Sequence, residues 1–414
     1  MIERPVILIP IILAAILGTT VFEFWVTYLN VKLLKSDLPD TFGATYTPAH
    51  YKRSQDYLKL KMLLDLVKKS AFIFVLLTFW FYGGFELLDM SIGRLGYGPI
   101  MSGLLFIGAL VFLCGAISMP FELYNTFGIE ARFGFNRTDM KTFMSDRFKT
   151  ISLAIVIGTP LLSFFLALYH HGGDKSWFSC WIIASVFLVL VQFVAPVYIL
   201  PLFNRYEALG EGVLHRAILN YTRKIDFPLK QILVMDGSRR STKSNAFFIG
   251  FGSKKCVVLF DTLIATLSVE EVVAILAHEI GHHKQNHILM SVILKMVIMA
   301  AVLYLFSQFL GFVPLYTAFG VAEPSVHTGL IFFNILISPL IMIGKMAEQW
   351  LSRRNEFQAD RFAILTLHKP TPLTTALKKL TVQNMENLNP HPAYVALYYS
   401  HPTILERIAA IHQQ

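Results

Sequence analysis

Charge is what this chain has least of. Only 15% of its 414 residues are Asp, Glu, Lys or Arg, 55% are hydrophobic, and the mean hydropathy is +0.55. A soluble globular surface cannot be built from that mixture. Cysteine is almost as scarce. Cys114, Cys180 and Cys256 are too few and too scattered for a disulfide framework or a thiolate metal site, and the first two fall in apolar runs as small buried hydrophobes. No internal repeat and no low-complexity tract breaks the chain, and no small-x-small cleavage signal follows its first apolar run. That run is therefore expected to stay as a span. Acidic residues number 27 against 36 basic ones, a net charge of +9. Such an excess can mark a nucleic-acid binder, so its distribution has to be read.

What is present in quantity is apolar sequence in long runs. Seven segments, at about 6–28, 70–88, 100–121, 151–169, 177–200, 288–310 and 328–347, approach the ~20 residues that a helix needs to cross hydrocarbon. Glycine and proline mark the gaps, as in Gly93 to Pro99 and Gly311 to Pro314. The loop after the first span carries Lys32, Lys35, Lys52, Arg53, Lys59, Lys61, Lys68 and Lys69, and the loop after the third carries Arg132, Arg137, Lys141, Arg147 and Lys149. The connections between hold Arg94 alone, Lys175 alone, or no basic residue. This alternation is the positive-inside pattern, with the N-terminus outside and the C-terminus cytosolic. It accounts for the basic excess through the lipid bilayer and leaves no case for nucleic acid.

Two polar regions then share the cytosolic side. Residues 1–200 hold spans one to five with their loops, 201–287 a small α+β region, 288–350 spans six and seven, and 351–414 a tail. Within 201–287 a helix is predicted over 213–223, and strands over 231–235, 245–251 and 255–260, with a turn at Asp236-Gly237-Ser238.

The chemistry sits at the end of that region. Ser268 followed by Glu271 is a capping-box signature, and the helix it starts should run on through His287. On it His278 and His282, four apart, stack on one face, a pincer for a divalent cation, usually zinc. His283 points off that face, and His287 projects roughly opposite His278. Glu279, beside the pair, can reach a metal-bound water, which is the His-Glu-x-x-His arrangement of zinc peptidases. Gly281 removes a side chain next to the site and leaves room for a substrate backbone. The bland alternative, a helix with solvated histidines, offers no third ligand.

After the seventh span, Glu356 and Asp360 lie four apart on one helical face. Two crossings separate His282 from Glu356, so the chain returns to the same membrane side. Glu356 becomes the third ligand, with water in the open fourth position of a catalytic zinc site. Asp360 is placed to hydrogen-bond the distal nitrogen of a ligand imidazole. The competing reading pairs both acids with Arg353, Arg354 and Arg361 on a solvated face.

The chain resembles the type I CAAX prenyl proteases, integral membrane zinc metalloproteases. The resemblance rests on Phe133-Gly-Phe-Asn-Arg137 with Asp146, Pro201-Leu-Phe-Asn204, Asp236 to Ser241, Ser244-Asn-Ala-Phe-Phe248, Val258 to Thr262, Asn355 to Asp360, and Ser400-His-Pro-Thr403 with Glu406 and Arg407, in that order. It implies a mostly α polytopic fold of seven transmembrane helices enclosing a hydrated chamber, with a small cytosolic α+β zinc-protease region and one zinc ion per chain. It implies that Asn245, Ala246, Phe247 and Phe248 form an edge that takes substrate by strand addition. It gives Asp360 a catalytic or supporting role and puts His401 and Arg407 near the site, where either would stabilise an oxyanion. The substrate it favours is a prenylated CAAX C-terminus, losing its last three residues; a general quality-control protease of the membrane is the alternative. The compartment would be a bacterial inner membrane or the endoplasmic reticulum. A chamber would also account for Lys295 and Asn334 within apolar spans, whereas Lys345 and Glu348 suit a local pair or snorkelling side chains at a helix end. A seven-span receptor or transporter with a structural metal would need a fourth protein ligand, and no cysteine is placed to supply it.

Overall fold

The computed structural model describes residues 7–34, 38–43, 45–250 and 255–413. Val6, Lys35, Ser36 and Phe251, on which the expected first span, its loop and one strand partly fall, lie outside the described residues. Five helices are long and apolar enough to cross a membrane: Leu8–Lys32, Pro99–Phe133, Met140–His171, Ser176–Leu202 and His287–Phe309. Two bent pairs bring the number up to seven if each is one span. Pro48–Phe81 turns by 64° into Gly84–Gly93, and Val326–Leu336 turns by 65° into Ser338–Leu367. The expected spans at 70–88 and 328–347 each run across one of these bends. At the first, Gly83 adopts a left-handed φ of 73° that a residue with a side chain rarely takes. At the second, Pro339 lies in the opening turn of a new helix, where its missing N–H costs nothing.

Away from the polar region the bundle is packed by aromatic rings. Trp80, Phe85, Phe319 and Phe332 are fully buried together, with Phe319 and Phe332 stacked at 4.1 Å between centroids. The polar residues within the apolar spans have identifiable local surroundings. Asn334 is exposed and donates its amide to the Leu330 carbonyl at 2.9 Å. Lys345 stands 5.2 Å over the Tyr398 ring rather than pairing with Glu348, and Glu348 lines a small cavity together with Lys295.

The polar region folds as a four-stranded sheet in the order β1-β2-β4-β3, with β1 at Tyr206–Ala208, β2 at Leu229–Met235, β3 at Ala246–Ile249 and β4 at Lys255–Phe260. Three strands match the sequence reading within a few residues; β1, three residues long, is too short to show alternation. β2 and β4 run parallel, and β3 pairs antiparallel to β4 with Ala246 opposite Leu259. β3 is thus an edge strand. Under the sheet, Ile232, Val257 and Leu259 share one buried core with Ala274, Leu276 and Ala277 of the helix Val269–Lys284. That helix begins as predicted, with Ser268 and Glu271 completing the capping box, and Lys379 pairs with Glu271 at 2.8 Å.

The segment leading into β3 is tied down by residues far away in sequence. Arg240 bonds both carboxylate oxygens of Asp146, at 2.8 and 2.9 Å, and Asn204 at 3.0 Å. Across the same seam the Arg137 N–H donates to the Arg240 carbonyl and the Thr242 N–H to the Phe135 carbonyl. Planar, two-pronged recognition of a carboxylate is what arginine provides and lysine does not.

Candidate metal centre

The helix Val269–Lys284 crosses the helix Ser338–Leu367 at its closest where Gly281 meets Ala359. A Cβ on Gly281 would stand 3.0 Å from the Ala359 Cα, 3.1 Å from its carbonyl oxygen and 3.2 Å from the Phe362 Cβ. The missing side chain therefore serves this helix crossing, not a substrate backbone as the sequence suggested. Close approach of the two axes sets Glu356 against the histidines. The His278 and His282 Nε2 atoms are 3.2 Å apart, and Glu356 oxygens lie 3.4 Å from the first and 3.2 Å from the second. A tetrahedral ion with bonds of ~2.0–2.1 Å sets its donors ~3.3 Å apart. The two imidazole nitrogens and the Glu356 oxygens nearest them, Oε2 toward His278 and Oε1 toward His282, stand at separations close to that value, and one donor atom from each residue lies within 4.8 Å of the others. The buried Glu356 Oε2 has His278 and Arg407 nitrogens at 3.4 and 3.3 Å but makes no well-aligned hydrogen bond with either. Charge points the same way. The carboxylates of Glu356 and Asp360 outnumber the single guanidinium of Arg407 that faces them, an excess of negative charge that favours a cation. Burial disfavours a charged His278, yet Glu356 and Asp360 carry its pKa up to about 10, so the cluster draws in a cation.

Each imidazole is oriented from behind. His278 Nδ1 donates to Asp360 at 2.8 Å, and Asp360 is held by Arg407 through bonds of 2.8 and 2.7 Å. His282 is oriented by His287, whose Nδ1 lies 3.0 Å from the His282 Nδ1 and whose Nε2 lies 2.9 Å from the Gln358 side-chain oxygen. That oxygen accepts only, so the proton order runs from His282 to His287 to Gln358 and leaves the His282 Nε2 lone pair free for the centre. The sequence reading set His287 on the far side of a continuous helix. The helix instead ends at Lys284, Asn286 takes a left-handed φ of 58°, and a new helix starts at His287 and folds it back. Asparagine at this point was the available signal, because it tolerates that conformation. Gln358 had no signal at all.

His401 Nε2 reaches a Glu356 oxygen at 3.3 Å and Arg407 reaches the other at 3.3 Å. Both join Glu279, Asn245 and Ala246 in the wall of a cavity of about 580 Å³. Burial raises the Glu279 carboxyl above its ordinary value, against the pull of His278 and His282. Phe247 packs against Phe260 on one face of the sheet, and Phe248 meets His283 on the other, with ring centroids 5.0 Å apart. His283 is pushed by burial and by Lys255 down to about 4, hence neutral. The solvated-face alternative for the acids fails. Glu356 and Asp360 are 3% and 1% exposed, while Arg353 serves the Val395 and Tyr399 carbonyls and Arg354 stands over Trp350.

Comparison with known proteins follows the same division of the chain. Residues 27–205 match the family described as CAAX prenyl protease N-terminal, five membrane helices, and residues 208–414 match peptidase family M48. The chain belongs to peptidase family M48. It is a multi-pass integral membrane metallopeptidase. It is 33% identical over 406 residues to a CAAX prenyl protease 1 homolog of Arabidopsis thaliana, 93% of each chain. With CAAX prenyl protease 1 of Saccharomyces cerevisiae the identity is 31% over 423 residues, covering 94% of this chain and 92% of the relative. The crystal structure of S. mikatae Ste24p superposes with a TM-score of 0.93 at 29% identity, over 99% of this chain and 100% of that one.

Proposed function

We propose that this chain is a zinc endopeptidase that removes the last three residues of prenylated CAAX proteins, with the site on the cytosolic face of seven spans that enclose a hydrated chamber. The observation that carries the reading is the convergence of His278, His282 and Glu356, one donor atom from each lying within 4.8 Å of the others, beside the half-buried carboxylate of Glu279. The relatives named CAAX prenyl protease 1 support the substrate class, and the clustering of basic residues in alternate loops supports the orientation.

One zinc ion per chain, held by those three residues, would supply Lewis-acid polarisation and bring water toward a pKa of ~7. The chain's own groups do the rest. Glu279 takes a proton from the attacking water and delivers it to the leaving amine nitrogen. Its pKa, raised by burial, makes it a better proton acceptor than an ordinary glutamate. Asp360 fixes the His278 tautomer and orientation, and Arg407 holds Asp360. His401, at the cavity wall and more exposed than Arg407, is the group better placed to donate to an oxyanion. The free edge of β3, from Asn245 through Ala246 and Phe247 to Phe248, holds the peptide backbone by strand addition.

The test is the mass of the products after incubation with a farnesylated CAAX peptide, its unprenylated twin and an unfolded membrane protein. Loss of a tripeptide from the farnesylated peptide alone is the expected result. Cutting of all three would replace the processing role with quality control.

A further inference from the structure

The free edge of β3 is short, and it ends at a group of charges that the proposed chemistry does not use. The Asn245 carbonyl accepts from the Phe260 N–H, so odd-numbered residues here bond inward to β4 and even-numbered ones face the open edge. Ala246 and Phe248 therefore present the main-chain groups that an added strand can meet. The Ala246 N–H rests on the Asn245 Oδ1 at 2.8 Å, a local bond that a substrate carbonyl replaces. One step further back the edge is closed. The Ser244 N–H donates to the Asn384 side chain at 3.4 Å, and the Thr242 carbonyl accepts from Gln383 at 2.9 Å. Both partners sit where the helix Thr371–Gln383 ends.

The closed end is positively charged. Lys243 precedes Ser244, and its Nζ lies 2.9 Å from the Tyr57 hydroxyl and 3.5 Å from the Glu130 carboxylate. Tyr57 belongs to the wall of the 580 Å³ cavity. Glu130 also accepts from the Tyr57 hydroxyl at 2.7 Å and from Lys61 at 3.2 Å. It closes a π-helical stretch, Tyr124–Glu130, from which Asn125 reaches the same Lys61 at 2.7 Å. One carboxylate thus faces two ammonium groups. Glu386 lines the cavity too but pairs with neither lysine, and its oxygens are held by Thr381 and Asn384 at 3.3 and 3.4 Å. Burial presses Lys243 toward its neutral form against the pull of Glu130, so a further anion here is stabilised.

Direction along β3 decides what arrives there. β3 pairs antiparallel on its occupied side, and antiparallel addition is the commoner and somewhat stronger pairing. A peptide added in that sense runs from Phe248 toward Asn245 as it nears its C-terminus. Asn245 and Ala246 line the cavity together with His278 and Glu279, which sets the cut bond beside Ala246. Three residues past the cut, at ~3.4 Å each, extend ~10 Å, and three steps back from Ala246 stands Lys243. The geometry points to Lys243, backed by Lys61 and Tyr57, as the group that receives the substrate's terminal carboxylate, an assignment that rests on the prenylated-peptide reading above. The blocked edge and the unbalanced ammonium together set the length of the released piece. A chain that ends there supplies the missing anion, whereas a chain that continues must turn away at Ser244 and leaves the ammonium without one.

The test uses full-length, zinc-loaded enzyme in lipid nanodiscs and three farnesylated CAAX peptides of one sequence. The first has a free C-terminal carboxylate, the second a carboxamide, and the third one alanine added after the CAAX end. Loss of a charge-assisted hydrogen bond should lower kcat/KM for the carboxamide ~10–100-fold, mostly through KM, and the extended peptide should lose as much. In Lys243→Met the ratio of carboxylate to carboxamide rates should collapse toward one, and Lys243→Arg should restore most of it. Zinc content and thermal unfolding report whether each variant is folded, and the wild-type comparison of the two ends stands without them. Equal trimming of the carboxylate and carboxamide peptides by wild-type enzyme overturns the assignment, as does a folded Lys243→Met that keeps the wild-type ratio. If no farnesylated peptide loses a tripeptide at all, the prenylated-peptide reading itself falls and this assignment with it.

Discussion

Gly281→Ala is the substitution that most sharply separates what Gly281 does from what its place in the motif suggests. A methyl group there would stand 3.0 and 3.1 Å from Ala359 main-chain atoms and 3.2 Å from the Phe362 Cβ. All three partners are main chain or a Cβ fixed to it, so relief must come from the helices moving apart. Carbon atoms rest at ~3.5–4.0 Å, which makes the needed separation about 0.5 Å. Glu356 lies on the same helix as Ala359, one turn before it, and moves with it. Since a working metal constellation tolerates only about 0.5 Å of displacement, zinc affinity should drop roughly tenfold or more. Alanine is ~1 kcal/mol better than glycine in a helix, and overpacking costs ~1–3 kcal/mol, so the fold should be little changed or weakened by up to ~2 kcal/mol. The assay is chelator competition for zinc, followed by thermal unfolding of the apo and loaded forms in detergent. If Gly281 merely leaves space for substrate, the variant will bind zinc as tightly as wild type and show only a raised KM. That result would refute the helix-crossing argument.

Other expectations follow from the same geometry. Glu279→Gln should lower kcat by ~10²–10⁴-fold with zinc content unchanged, since it keeps shape and removes the proton acceptor; loss of zinc instead would make Glu279 a ligand. The base form of Glu279 is the active one and its pKa is raised, so kcat/KM should fall as pH drops through that pKa. This acid limb should sit above the ordinary glutamate range and disappear from the residual activity of Glu279→Gln. Asp360→Asn should weaken zinc binding by ~10–100-fold, because the His278 tautomer is no longer fixed and Arg407 is left facing a neutral amide; wild-type affinity would count against the role assigned to this acid. His287→Phe, which cuts the proton chain from His282 to Gln358, should also weaken zinc binding, by ~10-fold, without changing the acid limb. Arg240→Lys gives up the two-pronged bond to Asp146, and hydrogen exchange of the β3 amides should speed up while those of β2 stay protected.

How much could be read without coordinates differs by element. Spans announce themselves because lipid demands ~20 apolar residues in a row, but their ends do not. The bends at Gly83 and before Pro339 carry single-residue cues that a window of that length averages away. The strands β2 and β4, buried and rich in Val, Leu and Ile, are legible for the same reason, while β1 has too few residues to show any period. At the site, His278, His282 and Glu356 were reachable by helical spacing and by counting crossings, which is arithmetic on the chain. Asp360 was reachable as the residue one turn beyond Glu356. Gly281 and His287 were misread because their roles depend on a second helix and on a break, and spacing within one helix contains neither. Arg240 and Gln358 act on partners 94 and 71 residues away, so no local pattern points to them.

Anomalous diffraction at the zinc edge on purified, zinc-supplied enzyme tests the central claim most directly. The account predicts one peak per chain, ~2.0–2.2 Å from the Nε2 atoms of His278 and His282 and from the Glu356 carboxylate. A peak bound by other residues, or no stoichiometric peak in protein that still cleaves peptide, would contradict it.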